Sequence, residues 1–343
     1  MPNREIIVIG TSAGGVELLV SIARALPCDI PAALFIVQHV APTGRSYLSE
    51  ILNSAGTLPA SHPVDGEPIQ YGHIYIAPPD HHLLVEHGHM HVIRGPKENN
   101  FRPAIDATLR TAARAYGPRV VGIILSGMLD DGTAGLMAVK RHGGCAIVQD
   151  PAEAAFPSMP ESACRYVAVD AVLPIAEIVP ELLRVVNEPI DGEGVASMSD
   201  KIDLEANISE MDPQALQQAD TLGAPSPFSC PACGGVLAEF YDGDLLRFHC
   251  QVGHAFSRES VLAAQEEALD YSLWAAFRAL DERVNLARRL ARDAHHLNDS
   301  TSERRFTQLI AQAQAQQEQI RQAILKDMEA DAMTSTDEPA SES

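Results

Sequence analysis

The sequence predicts an α/β fold: a doubly wound, mostly parallel β-sheet with helices on both faces, followed by a small Cys/His module and a helical hairpin. In the first half of the chain, continuous apolar runs alternate with amphipathic helical patterns. Such runs are typical of parallel strands that are buried on both faces. Farther along, three of the six cysteines fall within one short stretch, ahead of two long helical patterns.

Length and charge limit the classes of function. A chain of 343 residues is longer than one core usually fills, so more than one domain is expected. The formal net charge of −21 is uneven: residues 1–190 hold 13 Lys and Arg against 19 Asp and Glu, and the remainder holds 12 against 27. Because an acidic chain repels phosphates, we expect no nucleic-acid partner. No signal-peptide core and no long apolar run is present, so we expect a cytoplasmic protein without membrane insertion.

The elements of the first domain, residues 1–188, follow in order. Strands are predicted at 5–10, 32–38, 73–77, on both sides of a turn at His87-Gly88, and at 119–127 and 145–149. Helices are predicted at 14–26, 103–117, 132–142 and 175–187.

Beyond this domain the composition changes. Residues 189–227 carry eight acidic residues and one lysine, which indicates an acidic linker with one short helix near 213–219. A Cys/His module at 228–256 and a helical hairpin at 257–329, its second helix capped by Ser300 or Thr301, come next. The apolar stripes of these helices favour a hairpin or self-association over a ligand site. Residues 330–343 have the composition of a disordered acidic tail.

Ser12 lies in a G-x-S-x-G pattern between the first strand and the first helix. A sharp strand-to-helix turn exposes a serine hydroxyl, and the free N–H groups of the helix can stabilise an oxyanion. The motif alone is weak, because a glycine turn can simply start a helix. A dinucleotide-binding G-x-G-x-x-G is excluded, since Ser12 stands where it requires glycine.

Two further strand ends supply a base and an acid. Of the 13 histidines, His39 stands out because it ends the second buried strand, and functional groups of parallel sheets gather at the carboxyl edge. Asp130 and Asp131 follow the strand at 119–127. By themselves these carboxylates could bind metal, cap a helix or orient a catalytic histidine. Together, the three strand ends favour a Ser–His–Asp triad of Ser12, His39 and Asp131.

Six segments carry a family resemblance. In chain order they are GTSAGG, IVQH, YIAPPDHHL, FRPAIDATL, ILSGMLDDGTAGL and PSMPESA. They resemble the catalytic domain of CheB-type chemoreceptor methylesterases over about residues 4–187. The resemblance implies hydrolysis of glutamyl methyl esters on methylated chemotaxis receptors, and deamidation of receptor glutamines in some members, without a catalytic cofactor.

The same resemblance assigns roles to individual residues. Ser12 would be the nucleophile, His39 the base and Asp131 the orienting acid, with the backbone N–H of Met128 as an oxyanion contact. Asp130 would be a solvated or capping carboxylate, while Arg102 and Asp106 would be structural. Since the resemblance starts at residue 4, we expect no N-terminal receiver domain and hence no regulation by phosphorylation within the chain.

The Cys/His module has the spacing of a zinc ribbon. Cys230 and Cys233 form C-x2-C, and Cys250 and His254 form C-x3-H after sixteen intervening residues. Four such ligands predict a closed, structural zinc site in a module too small to fold alone. His249 is an alternative fourth ligand. A C-x-x-C redox pair would require a thioredoxin-like context that is absent from the sequence.

Three functions therefore compete. The first is the protein-glutamate methylesterase, the second a non-catalytic signalling scaffold, and the third a carboxylesterase for small molecules. An intact triad would argue against the scaffold, and the acyl pocket would separate the two esterases.

Overall fold

Parallel strands form the centre of the structure, a computed structural model that describes residues 3–190 and 200–336. The first nine strands are β1 (Ile6–Thr11), β2 (Ala33–Gln38), β3 (Ala60–Ser61), β4 (Ile74–Ile76), β5 (His82–Glu86), β6 (His89–Ile93), β7 (Val120–Ile124), β8 (Cys145–Gln149) and β9 (Ala171–Leu173). Seven of them form one parallel sheet in the order β3-β4-β2-β1-β7-β8-β9, while β5 and β6 form an antiparallel hairpin. The predicted parallel-sheet α/β fold is confirmed.

Helices cover both faces of this sheet. They are α1 (Gly15–Ala25), α2 (Leu48–Ala55), α3 (Ile105–Tyr116), α4 (Thr133–Arg141), α5 (Ser158–Tyr166) and α6 (Ile175–Asn187). Side chains alternate across a strand, so Ile6 and Val8 of β1 enter one core, shared with α3 and α4. Ile7 and Ile9 enter a second core, shared with α1, α2 and α6.

The elements that the sequence analysis missed are short or mostly polar. Helix α2 has eight residues, β9 has three, and α5 contains Pro160 with little of its surface buried. Each of them is too short for its pattern of apolar residues to distinguish it from a loop.

The predicted linker is wrong over residues 200–227, apart from its short helix near 213–219, and 191–199 lie outside the described residues. This stretch contains α7 (Asp200–Ser209), α8 (Pro213–Gln217), which is the predicted short helix, a 3₁₀ helix at Ala219–Leu222 and the start of β10 (Ala224–Ser229). Helix α7 packs on α3, where Arg110 donates to Ser209 at 2.8 Å and Ile202 joins the first core. The helix could not be recognised from its acidic composition, because its buried face also carries the charged Glu205.

The Cys/His segment forms an antiparallel sheet of β10, β11 (Val236–Asp242), β12 (Leu245–Cys250) and β13 (Ala255–Ser257). Gly243, at a φ of 63°, makes the predicted turn between β11 and β12. This sheet is not separate from the first domain. Leu245 is buried in the first core, and Asp242 forms an ion pair with Arg141 of α4. The Cys/His segment therefore packs against the first domain and shares its core.

The chain divides into two compact units, and the boundary falls after Leu262. Most of the second unit consists of α9 (Arg258–His296) and α10 (Ser300–Thr336). Asp299, not the predicted Ser300 or Thr301, caps α10 by accepting two N–H bonds at 3.1 Å. Residues 330–336 of the predicted tail are helical, and 337–343 lie outside the described residues.

No helix within the described ranges combines the length and the apolar character needed to cross a bilayer.

The shared core predicts that a substitution in the Cys/His segment weakens the parallel sheet. Leu245→Ala should lower the unfolding free energy reported by amide exchange of β7 by about 2–4 kcal/mol, since Leu245 is 2% exposed. The matched control is Leu262→Ala, at a position that is 58% exposed, which should change it by about 0.5 kcal/mol or less. Equal effects of the two substitutions would contradict the shared core.

Candidate active site

The three predicted triad residues follow neighbouring strands of the sheet. Ser12 comes directly after β1, His39 directly after β2, and Asp131 lies in the loop between β7 and α4. These strands are adjacent in the order β2-β1-β7 and run parallel, so their carboxyl ends meet at one edge.

The turn at Ser12 is held by backbone contacts that only small neighbours allow. The Ser12 N–H donates to the Ser126 carbonyl at 3.0 Å, and Gly14 adopts a left-handed φ of 74° before α1 begins. A side chain at Gly127 would meet the sulfur of Met159 at 2.1 Å and the Cβ of Ser12 at 2.9 Å. The loop after β7 therefore packs tightly against the candidate nucleophile.

His39 and Asp131 form a buried pair. The Nε2 of His39 lies 2.8 Å from a carboxylate oxygen of Asp131, and Phe101 stacks on the imidazole with centroids 3.6 Å apart. The other ring nitrogen, Nδ1, is buried without a hydrogen-bond partner among the described residues. Because Ser12 and His39 line one cavity of about 480 Å³, Nδ1 is the nitrogen available to Ser12.

Several donors hold Asp131 in its ionised form. Besides His39, its carboxylate accepts from the side chain of Asn99 at 3.0 Å and from the N–H groups of Ile105 at 2.7 Å and Gly132 at 3.0 Å. Burial alone would raise the pKa of Asp131, but the bonds from His39, Ile105 and Asn99 and the charge of His39 lower it below its ordinary value. An ionised Asp131 can fix one tautomer of His39 and stabilise its cationic form.

Asp130 does not match the expectation of a solvated or capping carboxylate. It is 3% exposed and accepts a hydrogen bond from the Ser257 hydroxyl at 2.6 Å. Burial is the main cause that raises the pKa of Asp130 to about 7; the Ser257 bond lowers it, while Glu259 and Asp131 raise it further.

The remaining family positions fall near the site. Arg102 lines the cavity and pairs with Asp80 at 2.6 Å, which agrees with its expected structural role. Asp106 lies in the first turn of α3, where burial and the charge of Asp131 raise its pKa well above the ordinary value. The N–H of Met128 has no hydrogen-bond partner among the described residues, and Met128 follows the Gly127 that packs against Ser12.

Two side chains that position the site were not predicted from the sequence. Asn99 contacts Asp131, and Gln38 donates to the Ser12 carbonyl at 2.8 Å. His82 is fully buried and bonds to the Pro96 carbonyl at 2.8 Å. Gln38 could have been found, since it precedes His39 at the end of a strand, but nothing in the sequence singles out Asn99.

The four predicted metal ligands converge, with ligand atoms within 4.8 Å of one another. The Nδ1 of His254 lies 3.7 Å from the sulfur of Cys230 and 3.4 Å from that of Cys250, and the sulfurs of Cys233 and Cys250 are 3.8 Å apart. The alternative ligand, His249, bonds instead to Glu205 at 2.8 Å.

A serine at a strand-to-helix turn, a histidine and a buried carboxylate at one sheet edge are the groups that serine hydrolases use. The model of the CheB methylesterase family matches residues 7–182, just over half of the chain. The chain therefore belongs to the CheB methylesterase family.

Curated relatives and a solved structure agree. A putative protein-glutamate methylesterase/protein-glutamine glutaminase of Leptospira interrogans is 36% identical over 183 residues, or 53% of this chain and 95% of that protein. Protein-glutamate methylesterase/protein-glutamine glutaminase 2 of Methanosarcina mazei is 33% identical over 191 residues, and the chain spans about half of that relative, 52%. The crystal structure of the Thermotoga maritima CheB methylesterase catalytic domain is 36% identical, with a TM-score of 0.52, covering 54% of this chain and 100% of that one. These relatives carry the names of carboxylic ester hydrolases.

The raised pKa of Asp130 predicts a pH-dependent stability. Between about pH 4 and 7 the unfolded chain ionises Asp130 while the folded chain keeps its proton, so stability present below pH 4 is lost as the pH rises through 7. Asp130→Asn lacks this loss, and its unfolding free energy relative to wild type should rise by up to about 1.4 kcal/mol per pH unit over this window. Urea unfolding from pH 4.5 to 8 measures the difference, with exposed Asp29→Asn as control. A flat difference would mean that native Asp130 is already charged.

Proposed function

We propose that this chain is a cytoplasmic protein-glutamate methylesterase that uses Ser12, His39 and Asp131 to hydrolyse glutamyl methyl esters on chemoreceptor-type proteins. One observation carries the proposal: His39 bonds to buried Asp131 through Nε2, which leaves Nδ1 without a partner among the described residues, and His39 and Ser12 line the same cavity. Membership of the CheB methylesterase family supports the substrate class.

The reaction is an acyl transfer with water as the final acceptor. The Oγ of Ser12 attacks the ester carbonyl while Nδ1 of His39 takes its proton. Asp131 stabilises the resulting imidazolium. The free N–H of Met128 and those at the start of α1 are the donors proposed for the oxyanion. His39 gives this proton to the methoxy oxygen as the C–O bond breaks, so that methanol leaves, and a water activated by the same histidine then releases the glutamate. A glutamine side chain would react in the same way and release ammonia.

The cavity fits a side chain attached to a protein. Val40, Ala41 and Pro42 form an apolar wall near His39, while Lys97 adds positive charge in an otherwise acidic chain. Such charge favours an acidic receptor surface around the ester. An opening of this kind can admit a glutamyl side chain while the receptor backbone stays outside.

Substitutions in the triad should abolish most turnover. Ser12→Ala and His39→Ala should each lower kcat at least about 10³-fold, and the double variant should lose no more, because the triad acts as a unit. Asp131→Asn should lower kcat by about 10³–10⁴-fold, since it leaves the wrong tautomer of His39. Methanol release from a methylated chemoreceptor signalling fragment measures these losses, with exposed Ser54→Ala and His87→Ala as matched controls.

Two outcomes would replace the proposal. Turnover of p-nitrophenyl acetate without any methanol release from methylated receptor fragments would indicate a small-molecule carboxylesterase. No Ser12-dependent turnover of either substrate would indicate a signalling scaffold.

A further inference from the structure

The last strand of the Cys/His sheet pairs with the active-site loop, defined here as residues 97–101. The N–H of Asn99 donates to the Ala255 carbonyl at 2.8 Å, and the N–H of Ala255 donates to the Lys97 carbonyl at 3.3 Å. Strand β13 thereby continues its sheet onto a loop that lines the cavity. The backbone of this loop is held by a segment that lies more than 150 residues farther along the chain.

Side chains extend this contact to the candidate triad. The side-chain oxygen of Asn99, Oδ1, accepts a hydrogen bond from the N–H of Ser257 at 2.9 Å and one from the Ser260 hydroxyl at 3.1 Å. Its amide nitrogen donates to Asp131 and Asp106, both at 3.0 Å. Because a backbone N–H can only donate, Ser257 fixes which end of the amide faces the carboxylates. Asn99 therefore links β13 to Asp131 directly.

The loop needs such support. Asn99 and Asn100 adopt left-handed φ values of 50° and 68°, a region that costs a non-glycine residue on the order of 1 kcal/mol. The same loop carries Phe101, which stacks on His39. A loop released from β13 would relax this backbone, and both residues of the buried pair would lose a contact.

Strand β13 begins next to the cluster of four candidate metal ligands, Cys230, Cys233, Cys250 and His254. His254 directly precedes it, and the Cys250 N–H donates to the His254 carbonyl at 2.9 Å, which closes a tight turn. A tetrahedral zinc with Zn–S near 2.3 Å and Zn–N near 2.0 Å places sulfurs about 3.8 Å apart, and sulfur and nitrogen about 3.5 Å apart. The observed separations of 3.8, 3.7 and 3.4 Å match these edges.

The apolar core around the cluster is small. Its buried members are Cys230, Leu237, Phe248, Cys250, Phe256 and Val261. Two of these six are candidate ligands, so the metal would supply much of the cohesion of this region.

We infer that Cys230, Cys233, Cys250 and His254 bind one zinc ion, and that this ion positions the His39–Asp131 pair through β13 and Asn99. All four positions of the metal are filled by protein, so it takes no part in the chemistry. The esterase activity therefore depends on a metal ion that lies outside the active site. The catalytic part of this inference rests on the proposed function, whereas the metal site does not.

The metal site is tested on the full chain by elemental analysis. Wild type should hold about one zinc per chain, and Cys230→Ser/Cys233→Ser should hold less than about a tenth of that. The control is Cys28→Ser, at an exposed cysteine outside the cluster, which should keep its zinc. Unchanged zinc in the double variant would overturn the site.

The coupling is tested by comparing the zinc-loaded and chelated protein. Chelation should lower kcat on p-nitrophenyl acetate at least about tenfold with little change in KM. The amides of Asn99 and Ile105 should exchange at least about tenfold faster, and their rates should rise more than those of β1 and β7. Unchanged exchange at Asn99 and Ile105 after the metal is lost would overturn the coupling, even if the chain proved to have no esterase activity.

A second variant separates positioning from folding. Asn99→Ala should keep its zinc and lower kcat about tenfold, with exposed Asn187→Ala as control. Because Asp131 loses a donor that holds its pKa down, the acid limb of the pH profile should move to higher pH. A pH profile and kcat identical to wild type would show that Asn99 does not position the pair.

Discussion

The structure around the active site depends on one buried carboxylate, that of Asp131, remaining ionised. Removing an isolated carboxylate from water is so costly that it would normally take up a proton instead. Asp131 avoids this because donors reach it from separate parts of the fold: His39 after a strand, Asn99 in a loop, Ile105 at a helix start and Gly132 in its own loop. Each of these elements must be in place before the carboxylate is tolerated, so the charge ties the local structure together.

Two neighbouring acids, Asp106 and Asp130, show why Asp131 is the carboxyl group that is ionised. Asp106 and Asp130 are also buried; burial is the main cause that raises the pKa of both, and neighbouring acids raise it further. Neighbouring buried carboxyl groups repel one another when ionised, and their environments decide which one holds the charge. Asp131 holds the charge because it receives the most donors, and its adjacent neighbour Asp130 bonds to a hydroxyl of the Cys/His segment instead.

Much of the site could be predicted from local sequence, because parallel strands reveal themselves as apolar runs and deliver their last residues to one edge. That reasoning placed Ser12, His39 and Asp131 at that edge. It could not reach Asn99, whose role depends on Ser257, a residue 158 positions away. It also misjudged α7, since a polar buried face looks like solvent-exposed sequence until its partners are known. Glu205 of that helix pairs with Arg247 and His249, all three of them buried.

The amide of Asn99 also has an evolutionary consequence. The Leptospira relative aligns over 95% of its own length, so a member of this family can be built from little more than one such domain. Here the Asn99 oxygen has given its hydrogen bonds to Ser257 and Ser260. Losing that segment would remove both donors that orient the Asn99 amide toward Asp131. The catalytic domain and the Cys/His segment therefore constrain each other's evolution, because each restricts the substitutions and deletions that the other can accept.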